Sequence, residues 1–163
     1  IGTDGVVTRV LGIIGSCGYS GDGGAATSAQ INAAYGLAMA THDGLGGLLI
    51  GEWNNRVVRR VFGNGTVVTV AGDTSSNGTI RGDFGPASSA TFDRPRSFAV
   101  LPDGSLLVGD FAANMIRRIW PNGCVPPPRV HRRDGLEPPI EWNPLPNKKN
   151  YIIPRLPANQ IRE

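Results

Sequence analysis

Over residues 1–123, apolar residues come in short bursts with polar residues interleaved, and each burst stops at a turn signal. Val57-Val58-Arg59-Arg60-Val61 and Thr66-Val67-Val68-Thr69-Val70 are rich in β-branched side chains broken by charge or hydroxyl. That is the pattern of a half-buried strand. The stops are glycines preceded by Asp or Asn: Asp43-Gly44, Asn64-Gly65, Asp103-Gly104 and Asn122-Gly123. Such pairs tolerate positive φ at both central positions of a tight hairpin turn. A third break lies between them, Asn54-Asn55 in one place and Ala112-Ala113-Asn114 in the other. The spacing predicts strands over 35–40, 47–52, 56–61 and 66–71, then three more over 97–120.

This pattern occurs twice. Gly21-Asp22-Gly23-Gly24-Ala25-Ala26-Thr27-Ser28-Ala29 lies over Gly82-Asp83-Phe84-Gly85-Pro86-Ala87-Ser88-Ser89-Ala90 at an offset of 61. Leu48-Leu49-Ile50-Gly51-Glu52-Trp53 lies over Leu106-Leu107-Val108-Gly109-Asp110-Phe111 at an offset of 58, so one loop differs by three residues. Val57-Val58-Arg59-Arg60-Val61 lies over Met115-Ile116-Arg117-Arg118-Ile119. Val6-Val7-Thr8-Arg9-Val10-Leu11-Gly12 matches Val67-Val68-Thr69-Val70-Ala71-Gly72 with one residue gained or lost. The repeats are therefore expected over about 12–71 and 72–123, preceded by a lone closing strand at 6–11. A twisted four-stranded meander cannot bury both faces alone; stacking against its neighbours is one way to cover them.

These residues resemble the NHL type of β-propeller blade. The Gly-Asp-x-Gly-(Ala/Pro)-Ala-(Thr/Ser)-x-Ala run is similar to that family's link between blades. Residues Gly51-Glu52-Trp53-Asn54-Asn55-Arg56-Val57-Val58-Arg59-Arg60-Val61 resemble its Ala-Asp-Thr-x-Asn-x-Arg-Ile-Arg-Lys-Val stretch, with Glu52 where Asp is usual. The second copy has Ala113 where the family has Asn. Thr66–Gly72 resembles its closing strand. The resemblance implies an all-β fold of two propeller blades, used for binding other macromolecules and supplying no catalytic residues. Fold alone does not carry function.

The strand count is incomplete. The first repeat holds four strands; the second holds three before Pro126-Pro127-Pro128, where proline removes the ladder donors. Two blades do not close a ring of four to eight. An orphan strand at one end and an open edge at the other suggest head-to-tail strand addition between copies, through Val6, Val7, Val10 and Leu11. The alternative is one piece of a longer propeller. A chain beginning at Ile1 is itself expected to be processed or incomplete.

Composition divides the chain at the same place. Residues 1–123 hold 22 of the 23 glycines, four of the 13 prolines, and nine Lys/Arg against nine Asp/Glu. Residues 124–163 hold nine prolines and seven Lys/Arg against four Asp/Glu, so the whole net charge of +3 sits there. This tail is expected to be an extended Pro-rich basic arm. Its anchors Trp142, Tyr151, Ile152, Ile153 and Leu156 are expected to dock on a neighbouring subunit, and a solvated linker is the alternative. A neutral body argues against nucleic-acid binding, which needs a concentrated basic face. No apolar run approaches about 18 residues, so no membrane span is expected.

Catalytic chemistry finds little support. The two histidines, His42 and His131, make neither a zinc site nor a triad. No enzyme activity, cofactor or metal is expected. Asp22 and Asp83 recur with the repeat and are expected to cap a tight turn. Arg59-Arg60 and Arg117-Arg118 recur too, and are expected on an exposed strand face or in pairs between blades. Cys17 and Cys124 form one disulfide or stay as two buried thiols. Asn64-Gly65-Thr66 and Asn77-Gly78-Thr79 match the N-glycosylation pattern and favour an extracellular setting. Three functions fit: a self-assembling extracellular glycoprotein, an accessory subunit of a large complex such as an organellar ribosome, or a binding or sensor module of a longer chain.

Overall fold

The computed structural model describes residues 5–42 and 44–120. The expected Pro-rich arm, Cys124, His131 and the anchors Trp142, Tyr151, Ile152, Ile153 and Leu156 lie outside them, as does Asn122-Gly123.

The described residues are all-β, with two antiparallel sheets. Strands β1 (Ala34–Met39), β2 (Leu48–Glu52), β3 (Val57–Val61) and β4 (Val67–Ala71) form the first, in chain order. Strands β5 (Pro95–Val100), β6 (Leu106–Asp110) and β7 (Met115–Ile119) form the second, also in chain order. The first four strands fall within one residue of the ranges that the turn spacing predicts. Each sheet is preceded by a long link with one turn of 3-10 helix, Ala26–Ser28 and Ala87–Ser89.

Residues 5–11 belong to neither sheet. The closing strand expected at 6–11 is therefore not formed within one chain. An extended segment becomes a strand only where a neighbouring strand runs alongside it. Val6, Val7 and Val10 are exposed, whereas Leu11 packs partly against the first sheet.

Register fixes which side chains share a face, because the side-chain period is two. In the first sheet Leu37 pairs with Ile50, Ile50 with Arg59 and Arg59 with Thr69. This face carries a core of Ile50, Val61 and Val67, closed by Ala26 and Ala29 of the preceding link. Gly36 pairs with Gly51, Gly51 with Val58 and Val58 with Ala71 on the other face. There Ala40, Leu49, Val58 and Ala71 meet Ala90 and Phe92 of the second link and Leu106 and Val108 of the second sheet. The second sheet has its own link-covered face, Phe98–Val108–Arg117, and an opposite face, Ser97–Gly109–Ile116.

The repeat extends to backbone conformation. Gly21 and Gly82 sit at φ +86° and +88°, and a Cβ on either would come within 2.7 Å of the Cα of Ala29 or Ala90. Both positions need a residue without a side chain for two separate reasons.

Candidate functional site

Of the paired arginines only Arg118 is exposed. Arg59 is fully buried, and Arg117 is buried too. Adjacent strand residues point to opposite faces, so Arg59 turns toward the link while Arg60 turns away. Arg59 Nη2 lies 2.6 Å from Asp22 Oδ1, and Nη1 lies 3.3 Å from Glu52 Oε1. The guanidinium also donates to the carbonyls of Gln30 and Ser20, each at 3.0 Å. Arg117 repeats the arrangement. It lies 2.7 Å from Asp83 and donates to the carbonyls of Thr91 (2.7 Å) and Arg81 (3.0 Å). In each repeat a buried arginine thus fastens the link across the strands.

Asp22 and Asp83 are the ion-pair partners of these arginines rather than turn caps. Burial pushes the Asp22 carboxyl up, but hydrogen bonds from Thr69 and Tyr19 and the Arg59 charge outweigh it and hold it below its ordinary value. At the end of the middle strand a second carboxylate recurs. Asp93 N–H donates to Asp110 at 2.9 Å, and Asn32 N–H to Glu52 at 3.3 Å. Burial raises both carboxyls: at Glu52 Asn55 and Arg59 partly offset it, and at Asp110 the Asp93 N–H partly offsets it while the Asp93 charge adds to it. Buried carboxylates with raised values can mark active sites. Here their oxygens hold strand ends and link backbone, the same way twice, which is structural work. Among the described residues no group of three or more His, Cys, Asp or Glu could hold a metal, and no helix is long and apolar enough to cross a membrane.

The larger unexplained feature is surface. Where the two sheets meet, the Phe98 ring lies on the paired glycines Gly36 and Gly51. A Cβ at Gly36 would stand 2.5 Å from Phe98 Cε2, and one at Gly51 2.6 Å from Cζ. Trp53 faces Phe111 at 5.3 Å between ring centroids, with Arg94 over the Trp53 ring at 5.3 Å. Arg56 Nε approaches Asp93 at 3.6 Å. On the far side of the first sheet, Leu37 (63%) and Met39 (59%) of β1 are largely exposed, while Tyr35, at the β1 bulge, packs on Trp53 at 4.8 Å between ring centroids. On the far side of the second sheet, a hollow is lined by Arg96, Ser97, Gly109, Phe111, Asn114 and Ile116 among others. Ile116 is 75% exposed. Apolar surface on both ends of the stack is the mark of an interaction site.

The sequence-derived site residues fall as follows. Cys17 is an exposed free thiol, not a buried one. Asn64 and Asn77 are both exposed, in turns where their side chains accept from Thr66 N–H (3.0 Å) and Thr79 Oγ1 (2.9 Å). Val6, Val7 and Val10 lie on the surface near the chain start. Tyr35, Leu37, Ser97, Gly109 and Ile116 were not singled out by sequence reasoning. Their signal was present in the offsets, because Leu37 stands where the second copy has Phe98.

No family model matches the chain, and no curated protein matches it. Solved structures do. One is a protein provisionally described as a phosphatase from Bacteroides thetaiotaomicron, 21% identical, with a TM-score of 0.53. It matches over 68% of this chain and 26% of its own. Another is an auxiliary nutrient binding protein from Bacteroides ovatus, 20% identical, with a TM-score of 0.52, over 64% of this chain and 26% of its own. At these identities the likeness concerns the fold. The chain spans about a quarter of the length of these structures.

Proposed function

We propose that the two sheets are NHL-type blades of an incomplete propeller, and that the protein is a non-enzymatic structural or interaction protein. Copies assemble head-to-tail, by strand addition and blade stacking, into a filament or other polymer. The single observation that carries this is the pair of unlike apolar ends: β1 with Leu37 and Met39 at one, and the hollow beside Ile116 at the other. Unlike ends make a heterologous contact, which propagates as a ring or a helix. An extracellular location, N-glycans at Asn64 and Asn77 and a docking tail belong to the same reading.

The second reading is that the two blades belong to a longer propeller that binds a ligand or partner. It is favoured by the matching solved structures, of which the match covers only 26% of the length. Light scattering and negative-stain microscopy of the 163-residue chain separate the two. Polymers that vanish when residues 1–11 are deleted support assembly. A monomer at all concentrations, or polymers that survive the deletion, counts against it.

A further inference from the structure

The junction inside the chain contains a template for a junction between chains. Three contacts flank the shared core where sheet one meets sheet two: Phe98 on Gly36 and Gly51, Arg56 with Asp93, and Trp53 with Phe111. The repeat offsets give the residue that each would become if sheet two met a further sheet one. Phe98 becomes Leu37, and Gly36 with Gly51 becomes Ser97 with Gly109. Arg56 becomes Asn114, Asp93 becomes Asn32, and the aromatic pair becomes Phe111 with Trp53.

In each pair a change on one side is met by a change on the other. Phe98 needs a bare glycine opposite, since even a Cβ at Gly36 would stand 2.5 Å from its ring. The hollow on the second sheet is partly filled instead: Ser97 Oγ occupies the space over Gly109. A phenylalanine would not fit there, whereas the shorter Leu37 would. Arginine and aspartate are replaced by two asparagines, each able to donate and accept. An arginine at 114 facing Asn32, or an aspartate at 32 facing Asn114, would leave a charge without its counter-charge. The aromatic contact keeps two rings. These matched changes identify the occupant of the hollow as this chain's own first sheet.

The chain start agrees. Gly72 N–H donates to the Ala87 carbonyl at 3.0 Å just after β4, and Gly12 N–H donates to the Ala26 carbonyl at 3.0 Å. Residues 7–11 therefore leave their link as Val67–Ala71 leave theirs. In a stacked copy they arrive beside β7, where the second sheet has no fourth strand among the described residues.

We infer that the hollow at Ser97, Gly109 and Ile116 receives Leu37 of a second copy, with Phe111 against the partner's Trp53 and Asn114 against the partner's Asn32. This rests on the head-to-tail reading above and names its contact.

The test uses two full-length variants, each blocked at one end. Leu37→Asp spoils the knob and leaves the hollow; Ser97→Glu spoils the hollow and leaves the knob. Both positions are exposed, so each variant is expected to melt like the parent. Each alone should self-associate at least about tenfold more weakly than the parent. Mixed in equal amounts, they should form a one-to-one dimer in light scattering, because one intact knob meets one intact hollow. Two monomeric variants that stay monomeric on mixing overturn the contact. Variants that polymerise like the parent overturn it while leaving head-to-tail assembly standing. A monomeric parent overturns both.

Discussion

Arg59→Ala removes a fully buried charge. Its guanidinium is fully shielded and touches two carboxylates and two backbone carbonyls. Truncation leaves Glu52, also fully buried, facing a cavity with only Asn55 and the Asn32 N–H to satisfy it. Breaking a buried pair from one side costs about 3–5 kcal/mol, against about 5–15 kcal/mol for a whole domain. Arg117→Ala is the internal control. Arg117 makes the same carbonyl contacts, but its partner Asp83 is 57% exposed and is rehydrated once abandoned. Its loss should cost about 1–3 kcal/mol. Urea unfolding at neutral pH, extrapolated to water, measures both. Arg59→Ala should be the more damaging by about 2 kcal/mol. Replacing Arg59 and Glu52 together with apolar residues should cost less than Arg59→Ala alone, because the one charge left unpaired, Asp22, is 35% exposed and is rehydrated. An Arg59→Ala loss below about 1 kcal/mol, or one smaller than that of Arg117→Ala, would refute the assignment of Arg59 as the buried fastener.

Gly51→Ala drives a Cβ to 2.6 Å from Phe98 and 2.8 Å from the Pro95 carbonyl; it should cost about 1–3 kcal/mol, and adding Phe98→Leu should recover part of the lost melting temperature. Gly21→Ala and Gly82→Ala, at positive φ against a neighbouring Cα, should each lower stability by more than about 1 kcal/mol in the same urea assay. The carboxyls set opposite slopes of stability with pH. Glu52 and Asp110 have raised folded values, so stability they contribute in acid is lost as pH rises through those values; Asp110→Asn should flatten this fall between about pH 4 and pH 7. Asp22 and Asp103 have lowered values, so their contribution is present above the ordinary carboxylate range and lost as pH falls below it; Asp22→Asn should reduce the stability lost on acidification below about pH 4.

The strands were legible because their information is local. β-branched runs stopped by Asp-Gly and Asn-Gly need no distant partner to be read, and the first four bounds are right to within one residue. The arginines were misread because their burial is not local. Arg59 is covered by Tyr19, Ser20, Asp22 and Gln30, between 29 and 40 residues earlier. Only the recurrence of Asp22 and Asp83 at the repeat period was visible, and a turn cap recurs just as well. Residues 6–11 carry the pattern of a strand without the strand, since pattern specifies a face and a ladder needs a partner edge. The outer hollow was hidden for a different reason. Gly109 and Ser97 acquire meaning only when the Gly36–Gly51–Phe98 contact reveals what their counterparts hold.

That contact also explains why an open stack of such sheets cannot finish itself. Each sheet is covered on one face by the link that precedes it: Ala26 and Ala29 on the first, Ala90 and Phe92 near the second. The other face is covered only by the next repeat. Adding repeats moves the bare face along the chain without removing it, and leaves β1 bare at the start. An isolated pair therefore always has one knob and one hollow, whatever its sequence. What the sequence chooses is how they match. If the hollow were meant for solvent, polar residues would replace Ile116 and Phe111, and nothing would tie Ser97 to Leu37. Instead the hollow is apolar and trimmed by one hydroxyl, and in the proposed contact it would meet a knob shorter than Phe98. Solubility alone does not select for that match, whereas a surface that is covered in use does.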